Sequence, residues 1–206
     1  YFRKGITWSK ISSGKFAARW RPEGFLFDDT GRCGFAEDDS ILYRSLALFC
    51  SCLADKFLRV LCPTLSFTSG EIAKIPYCDH PDHSVIDGAK EIIAIAKFDW
   101  NSYETSWDFT TLPLLVPEHR RATLEESYRH LRARWRETML EMRRLEEENN
   151  RIFIDAYGLR DELTPDVPLH EITLTCNPHY RYGAGKSEEE LEALLPGTRL
   201  GPLVVG

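Results

Sequence analysis

The chain has 206 residues, 43% of them hydrophobic and 28% charged, with a net charge of −6 at pH 7. That composition suffices to bury one sizeable core, as one domain or two small ones, and no stretch nears the roughly 18 uninterrupted apolar residues that a membrane span needs. Six cysteines at 33, 50, 52, 62, 78 and 176 are scattered through apolar surroundings, which argues against a disulfide framework and predicts reduced, cytoplasmic thiols. The opening YFRKGITWSK has neither an initiator methionine nor a signal-like apolar core, so a piece of a longer chain is expected.

In chain order, Gly5–Trp8, Phe16–Trp20 and Gly24–Asp28 are short aromatic and β-branched runs. The turn-forming SSG and RPEG separate them and DDTGRCG follows, which predicts hairpin-connected strands. Arg3, Lys4, Lys10, Lys15, Arg19, Arg21 and Arg32 face only Glu23, Asp28 and Asp29, giving residues 1–35 a net +4 and leaving −10 for the rest. A basic segment on an acidic protein has the form of a phosphate-binding face. A solvated strand edge guarded by cations is the plainer alternative. In the Ser-Gly loop, hydroxyls and amides can hold phosphates while lysine and arginine can read base edges. The candidate DNA contacts are therefore Lys10, Ser12, Ser13, Lys15, Arg19, Arg21 and Arg32.

From Ile41, apolar residues recur at three- and four-residue steps through Leu42, Leu46, Phe49, Leu53, Phe57 and Val60, which predicts a helix buried on most sides. Pro63 ends it, Thr64–Phe67 runs extended, and Ile72–Ile75 before Pro76 reads as a short strand or single turn. Cys78, His80 and His83 in YCDHPDHS have zinc-like spacing but lack an evident fourth ligand, so an ordinary polar loop is preferred and no metal is assigned. Ala89–Phe98 reads as an amphipathic helix. Phe98, Trp100, Tyr103 and Trp107 follow at nearly helical spacing, suited to stacking on bases or, more simply, to packing the next helix onto its domain.

Pro113 and Pro117 mark a break before the clearest periodic signal. Leu124, Tyr128, Leu131, Trp135, Thr138, Met142, Leu145, Asn149, Ile152 and Ala156 advance by four and three, a heptad seam on a helix predicted from near Glu118 to Tyr157 and closed by Gly158. Its arginines and glutamates nearly balance, and Asn149 is placed to fix register within a helix pair. Beyond Gly158 the sequence is acidic and proline-bearing, with a short strand expected at Ile172–Thr175 and a short helix at Glu188–Leu195. Asn177-Pro178-His179-Tyr180 is close to the Asn-Pro-Pro-Tyr motif of amino-methyltransferases, but histidine replaces the second proline and no Gly-rich cofactor signature precedes it. A structural turn is expected and no catalytic residue is assigned.

Four phrases stand in one order over about Phe2 to Gly183: GITWSKISSGKFAARW, PTLSFTSGEIAKIPY, DWNSYETSWDF and EEENNRIFIDAYGLRDELTPDVPLHEITLTCNPHYRYG. In them the chain resembles the target-recognition region of DNA methyltransferases that read and methylate with one polypeptide. The nearest resemblance is to the PglX family of adenine-specific methyltransferases from BREX phage-defence systems, related to type IIG and type I specificity domains. The elements add up to an α+β fold. With the resemblance they imply a mixed target-recognition-like lobe over residues 1–110, a long helical spacer over 111–158 and an acidic, loop-rich segment over 159–206. The resemblance further implies double-stranded DNA, the methyltransferase domain of the same polypeptide and other defence proteins or a second copy as partners, with no membrane. S-adenosylmethionine is implied for the parent enzyme and no cofactor for these residues.

Two functions remain at this point. One is a non-catalytic DNA target-recognition module; the other is a protein-interaction module whose working surface is the heptad seam Leu124, Tyr128, Leu131, Trp135, Met142, Leu145, Asn149 and Ile152.

Overall fold

Alternation of buried Ile6 and Trp8 with Thr7 and exposed Ser9 makes Gly5–Ser9 a strand, β1, with one face inward. It lies at the centre of a three-stranded antiparallel sheet, between β2 (Ala18–Arg21) and β3 (Gly31–Gly34). The register pairs Ile6 with Trp20 and Gly34, and Thr7 with Arg19 and Cys33. A Cβ on Gly5 would come within 2.5 Å of the Gly34 carbonyl oxygen, so the close approach of β3 requires glycine there. This computed structural model describes residues 2–62, 64–78, 84–183, 185–187 and 189–191. It divides into two compact units, Tyr1–Ile93 with Leu145–Asp166, and Ala94–Arg144 with Val167–Gly206.

The third strand lies later than expected: Gly24–Asp28 is a connection and the strand is Gly31–Gly34. The reason is local. Asp28 Oδ1 accepts from the backbone N–H groups of Thr30 (2.9 Å) and Gly31 (2.8 Å), placing the turn just before β3. The Phe25 carbonyl accepts from Arg21 rather than from a neighbouring strand.

The inner sheet face packs Ile6, Trp8 and Ala18 against Leu42, Leu46, Ala47 and Leu48 of α1 (Asp39–Phe49) and Leu53, Ala54 and Leu58 of α2 (Cys52–Leu61). Phe16 fills the middle, 5.2 Å from Phe67 and 6.2 Å from Phe49 between ring centres, and Trp20 stacks on Tyr43 at 4.7 Å. The buried helix expected from Ile41 is thus two helices. Ser51 makes the break: its hydroxyl donates to the Leu48 carbonyl (2.7 Å) and accepts from Ala54 N–H (3.3 Å). Of the expected extended run 64–67, residues 64–65 bend and Ser66 bridges Ile11, with Ser12 N–H donating to the Leu65 carbonyl at 3.0 Å and Phe67 N–H to that of Lys10 at 2.6 Å. Of the two readings for Ile72–Ile75, a single turn forms, α3 (Ser69–Ile72), opened by Thr68 with its N–H on Glu71 Oε2 at 2.8 Å.

The helix expected at Ala89–Phe98 is longer, α4 (Ser84–Asn101), running out of the first unit into the second. The long helix α5 (Leu124–Ala156) starts later than Glu118 because Thr123 and Glu126 form a capping box, each side chain accepting from the other's backbone N–H at 3.1–3.2 Å. Pro113–Leu115 and Pro117–His119 are separate 3-10 turns. Gly158 closes α5 at φ +68°, a left-handed conformation that favours glycine.

In the second unit the strand expected at Ile172–Thr175 does not form. The N–H groups of Thr175 (2.6 Å) and Cys176 (3.0 Å) donate to the buried carboxylate of Asp99, and those of Leu174 and Asn177 close local turns. Leu131, Met139, Met142, Ile172, Leu174 and Leu191 are buried there, and Pro178–Tyr182 forms α6. Of the helix expected at Glu188–Leu195, residues 189–191 are helical; residue 188 and the stretch beyond 191 lie outside the described residues. No described helix is long and apolar enough to cross a membrane.

Candidate nucleic-acid interface

Strand alternation and register sort the basic candidates by sheet face. Thr7, Arg19, Arg21 and Cys33 share the face opposite the helices. Arg19 is exposed there beside Thr7, while Arg21 is only 6% exposed. Its Nη1 donates to the Phe25 carbonyl (2.6 Å) and its Nη2 to the Arg3 carbonyl (2.7 Å). The guanidinium lies 5.2 Å from the Phe27 ring centre and 5.3 Å from that of Phe35. Arg21, expected as a DNA contact, has its ends bound to the two segments flanking β1 and β2. Sequence gives no sign of this, because the aromatics that cover it lie 6 and 14 positions away.

Lys10 and Arg32 converge on one anion. Lys10 Nζ pairs with Asp29 Oδ2, and Arg32 Nη2 lies 2.6 Å from Asp29 Oδ1. The Lys10 bond, helped by the Arg32 charge, holds the Asp29 carboxyl below its ordinary range. Asp29 is 64% exposed and the two cations 29% and 27%, so these are partly screened surface pairs of small net worth. In the β1–β2 loop, Ser12 Oγ accepts from Gly14 N–H at 3.1 Å, shaping the turn, and Ser13 and Lys15 are exposed. Phe16 ties this loop to the core. The structure thus exposes Arg19 on the outer sheet face, with half-buried Thr7 beside it, and Ser13 and Lys15 on the β1–β2 loop, while Arg21, Lys10 and Arg32 bind segments that flank the strands.

Along the seam, Leu124 is exposed and Leu131 and Met142 are buried in the second unit, where Tyr128 meets Trp135 edge-on at 6.3 Å. Leu145 is buried in the first unit, and Ile152 packs on its core. Asn149 Nδ2 donates to the Ala47 carbonyl (2.9 Å) near the end of α1, and the neighbouring Asn150 accepts from Cys52 N–H (2.8 Å) at the start of α2. The two amides therefore satisfy backbone groups left open by the α1–α2 break. Nothing in the periodicity singled out Asn150.

Asn177 is completely buried. Its amide nitrogen donates to the carbonyls of Leu169 (2.7 Å) and Ile172 (2.8 Å), and its oxygen accepts from His179 N–H (3.0 Å), capping α6. Every polar atom of the side chain serves the fold, as a structural turn requires. Of the four aromatics for which a packing role is preferred, Phe98 and Trp100 at the end of α4 are exposed and Trp107 beyond it is 98% exposed, while Tyr103 is half-buried. Of the zinc candidates, His80 and His83 lie outside the described residues. Cys78 is exposed, its N–H donating to the Tyr157 hydroxyl at 3.0 Å. Among the described residues no cluster of metal-ligating side chains occurs.

No protein-family profile matches the chain. It is 41% identical over 176 residues, 84% of its length, to the adenine-specific methyltransferase PglX of Lacticaseibacillus casei strain Zhang. To the adenine-specific methyltransferase BrxX of Escherichia coli O9:H4 strain HS it is 34% identical over 195 residues, 92% of its length. The matched stretch spans about 15% of each of these relatives.

Proposed function

This chain belongs to the PglX-related adenine-specific methyltransferases of BREX systems, and from that premise we propose that it is a DNA target-recognition segment of such an enzyme. The observation that carries the reading is the sheet face opposite the helices, which holds exposed Arg19 beside a loop bearing exposed Ser13 and Lys15 in a segment of net charge +4. Duplex DNA is a polyanion, and neutralising its backbone supplies most sequence-independent affinity. In this proposal residues 1–110 form the DNA-facing lobe and 111–158 the spacer toward the catalytic part of the same polypeptide. That part binds S-adenosylmethionine and methylates adenine N6 in phage defence. The segment itself transfers no methyl group, because the Asn177 amide, which such chemistry would aim at an exocyclic amine, is occupied by Leu169, Ile172 and His179.

The test is duplex binding by the chain across a salt series, with Lys15→Ala and Arg19→Ala singly and together. Each cation that contacts a phosphate flattens the log–log slope by about 0.9. A protein-interaction module on α5 draws on exposed Leu124 and Leu140. It predicts instead that the lobe variants behave as the unaltered chain and that Leu124→Asp with Leu140→Asp loses partner capture.

A further inference from the structure

Resting on the DNA reading above, we infer that Phe25 and Leu26, at the tip of the β2–β3 connection, form an apolar wedge that inserts into a base step of the bound duplex. Phe25 is 51% and Leu26 66% exposed, an adjacent pair with more exposed than buried surface. The backbone beneath them is fixed. Gly24 turns the chain at φ +92° with its N–H on the Phe2 carbonyl (3.0 Å), and Arg21 holds the Phe25 carbonyl. Asp28 closes the far end on Thr30 and Gly31. Two apolar side chains held outward on a braced loop lose little freedom on binding, which favours a recognition role over a frayed turn.

Charge decides for DNA as the occupant. The tip, with Thr7 and Arg21, lines a shallow concavity on the sheet face that carries exposed Arg19. Of the three acids of the connection, Asp29 is paired with Lys10 and Arg32, Asp28 bonds its own turn and keeps its charge, and exposed Glu23 acts on Lys4. The seven cations of residues 1–35 outnumber these three acids and leave the segment at +4, which favours a polyanion, and phenylalanine and leucine are side chains that proteins use to unstack and kink duplexes by about 20–90°.

The experiment uses the 206-residue chain, a pool of random duplexes labelled at both ends for energy transfer, and the variants Phe25→Ala/Leu26→Ala, Phe25→Trp and Arg19→Gln. The unaltered chain is expected to bind with salt sensitivity and bring the duplex ends together. Phe25→Ala/Leu26→Ala should lose roughly tenfold in affinity and the bend while keeping the salt slope. Phe25→Trp should keep both, and Arg19→Gln should flatten the slope yet still bend. Binding and bending by the double alanine variant equal to those of the unaltered chain would overturn the wedge and leave the DNA reading standing. So would variants that bind DNA normally but no longer associate with the rest of the methyltransferase. Absence of salt-sensitive binding by the unaltered chain would overturn the DNA reading and the wedge with it.

Discussion

Asn149, Asn150 and Asn177 act as backbone partners where helices break or begin. Asn150 is 5% exposed, accepts from Cys52 N–H and donates to the Pro165 carbonyl. Asn150→Ala leaves a partly buried donor and acceptor unmatched, so chemical denaturation should show a loss of about 1–3 kcal/mol. Arg21 shows why residue type alone misleads: the sequence presents it as one more cation of a basic segment, whereas its guanidinium binds two carbonyls beneath two aromatic rings. Arg21→Gln should destabilise the chain by about 1.5–3 kcal/mol, the usual range for bonds to a charged group. Conservative neutralisation of exposed Arg19 should leave the denaturation midpoint nearly unchanged. That contrast in stability separates a fold-holding arginine from a surface one.

Elements here are set by caps as much as by periodicity. Apolar spacing revealed that a buried helical stretch begins near Ile41, but not the break at Cys50–Ser51, because apolar residues continue on both sides and only the Ser51 hydroxyl marks it. The long seam places α5 and Gly158 its end, while its start lies six residues after Glu118, at Leu124, where Thr123 and Glu126 form a capping box. The third strand lies later because Asp28 closes a local turn on Thr30 and Gly31, whereas the apolar run in GFLFDD reads as strand. Ser51→Ala should cost about 1–2 kcal/mol and show as lost helicity at lower denaturant. Acid should weaken the same devices. The carboxyls of Asp28, Asp38 and Glu71 are held below their ordinary values, chiefly by backbone N–H groups of Gly31, Ser40 and Thr68 respectively. Their contribution is thus present above the ordinary carboxylate range and is lost as pH falls through the depressed native values. A pH titration of stability should decline below about pH 4. Asp28→Asn with Asp38→Asn should reduce that decline.

At the scale of the whole molecule, the α+β character and the relationship to the PglX family were both legible, the first in the change from strand-like runs to helical periodicity, the second in four ordered phrases. The candidate site was legible as a charge excess and not as a geometry, because the strand pairing and the rings of Phe27 and Phe35 decide which cations reach the surface. The central claim is that the lobe neutralises DNA phosphates through the exposed residues of its sheet. It is tested most directly by the salt dependence of duplex affinity for the unaltered chain and for Lys15→Ala/Arg19→Ala. The account predicts a linear fall of log affinity with log salt, and a slope flatter by about 1.8 in the double variant, two phosphate contacts at about 0.9 each. An unchanged slope in a folded double variant, or no salt-sensitive binding by the unaltered chain, would contradict it.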